Sequence, residues 1–153
     1  MINLLIRSKM NSLYKVAPEA LTVDNYGDGS NPVIDIMAPR GVLAGSVAAV
    51  VGDYVAGAAN GTNQEIGIFA NDAAGAPFDN SPTVASGKIT IVQGMASLEV
   101  DVYANVTFKV GDKLYADKKG LLTNVKSTTG TVIGICTKAP TTSAPTLGLD
   151  MLI

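Results

Sequence analysis

The chain has 153 residues, 47% of them hydrophobic but only 5% aromatic, with no tryptophan and a formal net charge of −2. That length suits a single domain with one core, and an apolar mass of Ala, Val, Ile and Leu suits a sheet packed with small side chains. The absence of surplus Lys and Arg argues against nucleic acid as a partner, because neutralising phosphates requires one.

Residues 1–18 read as an N-terminal arm or short amphipathic stretch. Leu5, Ile6, Met10, Leu13 and Tyr14 fall near helical spacing, and Pro18 closes the segment. Its apolar run is broken by Arg7 and Lys9, too short for a signal peptide or a membrane span. No disulfide framework points to secretion either, so the expected setting is a reducing cytoplasm with no membrane partner.

From residue 19 to residue 153 the pattern is that of a single β-rich domain. "PVIDIMA" alternates around Ile34 and Ile36, and "GSVAAVVGDYV" is an apolar run interrupted by Gly52-Asp53. "QEIGIFA", "KITIVQG" and "SLEVDVY" have strand periodicity, the last placing Leu98, Val100 and Val102 on one face. "KLYA" and "LLT" flank Asp117-Lys118-Lys119-Gly120, a hairpin turn with glycine where a positive φ is tolerated. "TVIGICT" and "TLGLDMLI" complete the set. The loops at 71–86 and 138–146 are rich in Ala, Pro, Ser and Thr. Many short strands with such punctuation predict an all-β chain with at most one short helix, built as a small barrel or sandwich.

An internal echo links residues 45–70 and 104–136. "VGDYV" leads to "IGIF", and "VGDKL" leads to "IGIC". In each, Gly52-Asp53 or Gly111-Asp112 supplies a corner: glycine takes unusual dihedrals and aspartate accepts backbone N–H groups. Gly67 and Gly134 then leave a strand bare for close approach by a neighbour. An old duplication and two uses of one corner are both open from the sequence.

Candidates for chemistry are few. Histidine is absent, which removes Ser-His-Asp and Cys-His catalysis and His-containing zinc sites. The one cysteine, Cys136, lies in an apolar run and is expected to be buried and inert. "DNYGDGSNPVID" sets Asp24, Asp28, Gly29 and Asp35 at calcium-loop positions, but Tyr26 stands where an oxygen donor belongs and Pro32 follows. A turn rich in Asx residues is the simpler account. "SGKIT" lacks the first glycine of a phosphate loop and carries Ile89 in place of the magnesium-ligating hydroxyl. Ser86 and Lys88 make a weak dyad. Glu99 and Asp101 share a strand face at a separation an inverting glycosidase could use, without an aromatic sugar platform. The expectation is a protein that is not an enzyme and uses no cofactor and no metal. Charge is uneven: residues 19–79 are acidic, with Arg40 as sole cation, and residues 88–138 are mildly basic. Two solvated faces, or two ends meeting different surfaces, both fit that asymmetry.

The stretches "GKITIVQGMASLEVDVYANVTFKVGDKLYADKKGLLTN" and "GTVIGICTKAPTTSAPTLGLDMLI" resemble the head decoration, or cement, proteins of tailed bacteriophages. In these, "GDxLYxxxxGxLT" leads into "IGxxxxAP" and a closing strand. The resemblance covers residues 87–153, with weaker support from "VGDYV…IGIF…ND". It implies a β-barrel or β-tulip fold and a non-enzymatic virion protein on the outer surface of the expanded capsid, often a homotrimer, with the major capsid protein as partner and assembly in the host cytoplasm. The arm, with Leu4, Leu5, Ile6, Arg7, Met10, Leu13 and Tyr14, is the candidate docking segment, against the alternative that it packs on its own barrel. A tail, baseplate or head-fibre component is the alternative within the structural class, and a carbohydrate-binding module the alternative outside it.

Overall fold

A computed structural model describes residues 2–6, 9–11, 15–16, 41–52, 55–70, 73–74 and 90–153. Alternation sets the strands. In β10 (Ser97–Val100), Leu98 and Val100 are fully buried while Ser97 and Glu99 are partly exposed. Antiparallel β14 (Leu147–Met151) places buried Leu149 opposite Leu98 and buried Leu147 opposite Val100. Cross-strand apolar pairs of this kind hold a sheet in register, because a one-residue slip would turn the whole set to water.

These strands lie in a six-stranded sheet. Its order is β1 (Ile2–Ile6), β10, β14, β13 (Gly134–Lys138), β11 (Lys113–Ala116) and β12 (Leu122–Thr123). The second sheet runs β2 (Lys9–Asn11), β9 (Ile91–Gln93), β7 (Glu65–Phe69), β5 (Val47–Gly52), β6 (Val55–Ala58) and β3 (Lys15–Val16). A short pair joins β4 (Gly41–Val42) to β8 (Ala73–Ala74). The described residues are therefore all-β and contain no helix, with a curled, half-barrel-like sheet.

The helical spacing expected for Leu5, Ile6 and Met10 is not realised: Ile2–Ile6 and Lys9–Asn11 are strands. So short a run cannot carry the cost of nucleating a helix, whereas pairing along β10 and β9 satisfies its backbone groups. Leu4 lies opposite Leu98, and Met10 opposite Val92. This part of the arm is thus an edge strand of each sheet. Leu13 and Tyr14 lie outside the described residues.

Two junctions tie the sheets together. At one, the ends of β1 and β2 flank the facing ends of β10 and β9, with Ile6 paired to Ser97 and Lys9 to Gln93. Elsewhere the β11–β12 turn meets the second sheet: the Val47 N–H donates to the Gly120 carbonyl at 2.8 Å. The core between them contains Ile68, Val92, Leu98, Leu114, Leu122 and Ile133, all buried; Phe69 and Ile91, a buried cross-strand pair, lie outside this cluster. Burying each such side chain contributes on the order of 1.5–3 kcal/mol. Tyr103 and Phe108 meet edge to face, with centroids 5.7 Å apart and planes at 90°. Both pack against this core.

Candidate docking surface and cleft

Hydrogen bonding continues past the ends of β10 and β14. The Gly94 N–H donates to the Ile153 carbonyl at 2.7 Å, and the Met151 N–H to the Ala96 carbonyl at 2.8 Å. These two bonds bracket Met95 and Leu152 at facing positions. Both are exposed, Met95 by 75% and Leu152 by 52%. The ends of β1 and β2 lie near the same place, since Ile6 pairs with Ser97 and Lys9 with Gln93. One end of the molecule thus gathers two exposed apolar side chains and the backbone of the N-terminal strands. Neither Met95 nor Leu152 has a sequence signal that separates it from its buried neighbours Ala96 and Met151.

The outer face of the first sheet behind this end is polar. Ser97 donates to Asp150 at 2.6 Å. The Lys138 ammonium reaches Glu99 at 3.3 Å and the Thr146 hydroxyl at 2.8 Å. It can do so because Gly148 lies beneath it: a Cβ there would stand 2.8 Å from the Lys138 Cβ. Glu99, one of the two carboxylates considered for acid–base chemistry, is therefore engaged with a surface cation.

At the second Gly-Asp corner, the Asp112 carboxylate accepts the Lys109 N–H at 2.8 Å and the Asn124 side-chain amide at 2.9 Å. The Asn124 bond first, then the Lys109 backbone bond, holds this carboxyl below the ordinary carboxylate range. Gly111 takes a φ of +94°. At the first corner Gly52 pairs with Val55 across a tight hairpin; Asp53 lies outside the described residues. Gly67 sits in the middle of β7 and Gly134 opens β13, each at a close approach. A Cβ at Gly67 would fall 2.3 Å from the Val92 carbonyl oxygen, and one at Gly134 2.5 Å from that of Asp150. Burial pushes the Cys136 thiol upward, with the Asp112 charge adding to it and the Lys138 backbone hydrogen bond opposing it.

Arg7, the calcium-loop positions Asp24, Asp28, Gly29 and Asp35, and the Ser86–Lys88 pair lie outside the described residues. Among the described residues no three His, Cys, Asp or Glu side chains gather as a metal site.

A cleft of about 490 Å³ opens where four loops meet, at residues 60–62, 104–106, 116–118 and 123–128. Ala104, Val106, Ala116 and Val125 form its apolar lining, and Val125 is 63% exposed. Behind it the Ser127 hydroxyl lies 3.1 Å from that of Thr129, which donates to buried Glu65 at 2.7 Å. The other Glu65 oxygen is buried without a partner. No stretch of sequence announces this cleft, because its walls come from four separated segments.

No protein-family model matches the chain, and no match to a curated protein is found.

Proposed function

We propose that this chain is a non-enzymatic structural protein that docks on the outer surface of an expanded tailed-phage capsid and reinforces it. The observation that carries this is the end of the molecule where exposed Met95 and Leu152 stand beside the N-terminal strands. Exposed apolar side chains clustered at one end, with a polar sheet face behind them, suit burial against another protein. The resemblance of residues 87–153 to head decoration proteins supplies the partner, the major capsid protein, and a virion location. Trimers around local threefold positions would multiply a modest contact into firm attachment. Of the docking residues proposed from the sequence, Ile6 and Met10 have their backbone near this end, paired with Ser97 and Val92.

Removing the N-terminal residues is a poor test, because it strips an edge strand from each sheet. Surface substitutions are cleaner. Purified protein mixed with expanded, undecorated capsids of the same virus should co-sediment at a fixed ratio near one copy per capsid subunit. The double variant Met95→Asp, Leu152→Asp should keep its melting temperature and remain in the supernatant. Failure of the parent protein to sediment with capsids would reject the proposal. Undiminished binding by a folded double variant would move the contact to another face.

A further inference from the structure

We propose that the cleft between loops 60–62, 104–106, 116–118 and 123–128 receives an extended, carboxylate-bearing peptide segment of a partner protein. The inference stands independently of the capsid proposal, since it rests on a different part of the surface. Its first ground is the lining. Val125 is one of the most exposed large apolar side chains among the described residues, and with Val106, Ala104 and Ala116 it makes a floor suited to small aliphatic side chains. A volume of about 490 Å³ is ample for a ligand of that kind.

The second ground is charge. Lys118 and Lys126 stand on the rim and are exposed, with no salt bridge to either among the described residues. The one carboxylate of the lining among the described residues, Asp117, also holds its own turn: one of its oxygens accepts the Lys119 N–H at 2.8 Å and the Leu121 N–H at 2.9 Å. With two lysines against one carboxylate the net charge of the described rim is positive, although the whole chain is at −2. An incoming carboxylate meets two exposed ammonium groups, whose charge sets orientation and encounter rate.

The third ground excludes other classes of ligand. Among the described residues no aromatic ring lines the cleft, so these walls give neither a sugar ring nor a nucleobase a stacking platform. The exposed Asn105 amide at the lip and the Thr128 hydroxyl are suited instead to backbone amides. The wall is held firm from behind. Thr129 ties loop 123–128 to β7 through Glu65 and to the 60–62 loop through its N–H bond to the Gly61 carbonyl at 2.9 Å. A preset wall lowers the ordering cost of binding.

The test uses the full chain and three fluorescein-labelled hexapeptides, Asp-Val, Ser-Val and Lys-Val repeats, followed by fluorescence anisotropy at low salt. The Asp-Val peptide should bind saturably, at least about tenfold tighter than the Lys-Val peptide. Lys118→Glu with Lys126→Glu should abolish that preference, and Val125→Ser should weaken all binding severalfold, with thermal melting unchanged in both variants. Equal binding of the three peptides, no saturable binding, or full binding by the folded charge-reversed variant would overturn the proposal. Sedimentation velocity addresses the remaining occupant. A self-associated parent that Lys118→Glu with Lys126→Glu renders monomeric would assign the cleft to a second copy of the chain and overturn the partner.

Discussion

The two Gly-Asp echoes are alike in sequence and differ in wiring. In residues 104–136 the strand after the corner, β11, lies directly beside the Ile-Gly strand β13, with Leu114 opposite Gly134. In residues 45–70 the strand after the corner, β6, is separated from the Ile-Gly strand β7 by β5, which pairs with both. A duplicated unit would keep its internal pairings. The difference favours two uses of the same local devices, a tight corner and a bare glycine, in two sheets of different connection.

The glycines offer the strongest way to probe that difference. Each is pressed by a neighbouring carbonyl oxygen, but their second neighbours differ. A Cβ at Gly67 would next meet the branched Cγ2 of Ile91 at 2.7 Å, and one at Gly134 the tip of Leu149 at 3.1 Å. Gly67→Val is expected to destabilise by about 3 kcal/mol and Gly134→Val by about 2 kcal/mol, read by urea denaturation. Equal costs would mean that the two approaches are equivalent after all, and normal melting of either variant would remove close approach as the reason for that glycine.

The corners give a smaller effect with a pH signature. Because the folded-state pKa of Asp112 is lowered, its contribution is present above the ordinary carboxylate value and is lost as pH falls through the lowered one. Asp112→Ala should lower the melting temperature at neutral pH, and the gap from the parent should close under strongly acidic conditions. A gap independent of pH would show that the Asn124 and Lys109 bonds do not depend on the carboxylate charge. Cys136 should react with a thiol reagent slowly in the folded protein and promptly in denaturant, since burial keeps it protonated and covered. Fast native labelling would reveal opening between β13 and its neighbours. Smallest of all, Lys138→Ala should cost less than about 1 kcal/mol, as surface ion pairs do, because Lys138 and Glu99 are both substantially exposed.

What the sequence disclosed was local. The alternation of Leu98 and Val100 is reproduced as buried positions, and "KLYA" pairs with "LT" around a turn in which Gly120 has a φ of +80°. Those signals lie within a few residues of the structure they encode. The N-terminal strands were not legible, because their partners lie near residues 91–100 and nothing in Leu5, Ile6 or Met10 distinguishes half a helix turn from an edge strand. Val102, expected to continue the β10 alternation, lies beyond the end of that strand and is partly exposed. The cleft and the Met95–Leu152 pair escaped for the same reason as the N-terminal strands: each is made by chain segments that meet only after folding.

That distance has a consequence for how the chain folds. β1 and β2 find their hydrogen-bond partners in β10 and β9, most of a hundred residues later in synthesis. On the ribosome β1, rich in Leu and Ile, is made well before β10 and must wait unpaired until that strand has emerged. Pairings so remote in sequence are slow to close. The interval during which "INLLI" stands open is therefore when a nascent chain is most exposed to chaperones and to its neighbours on the same message.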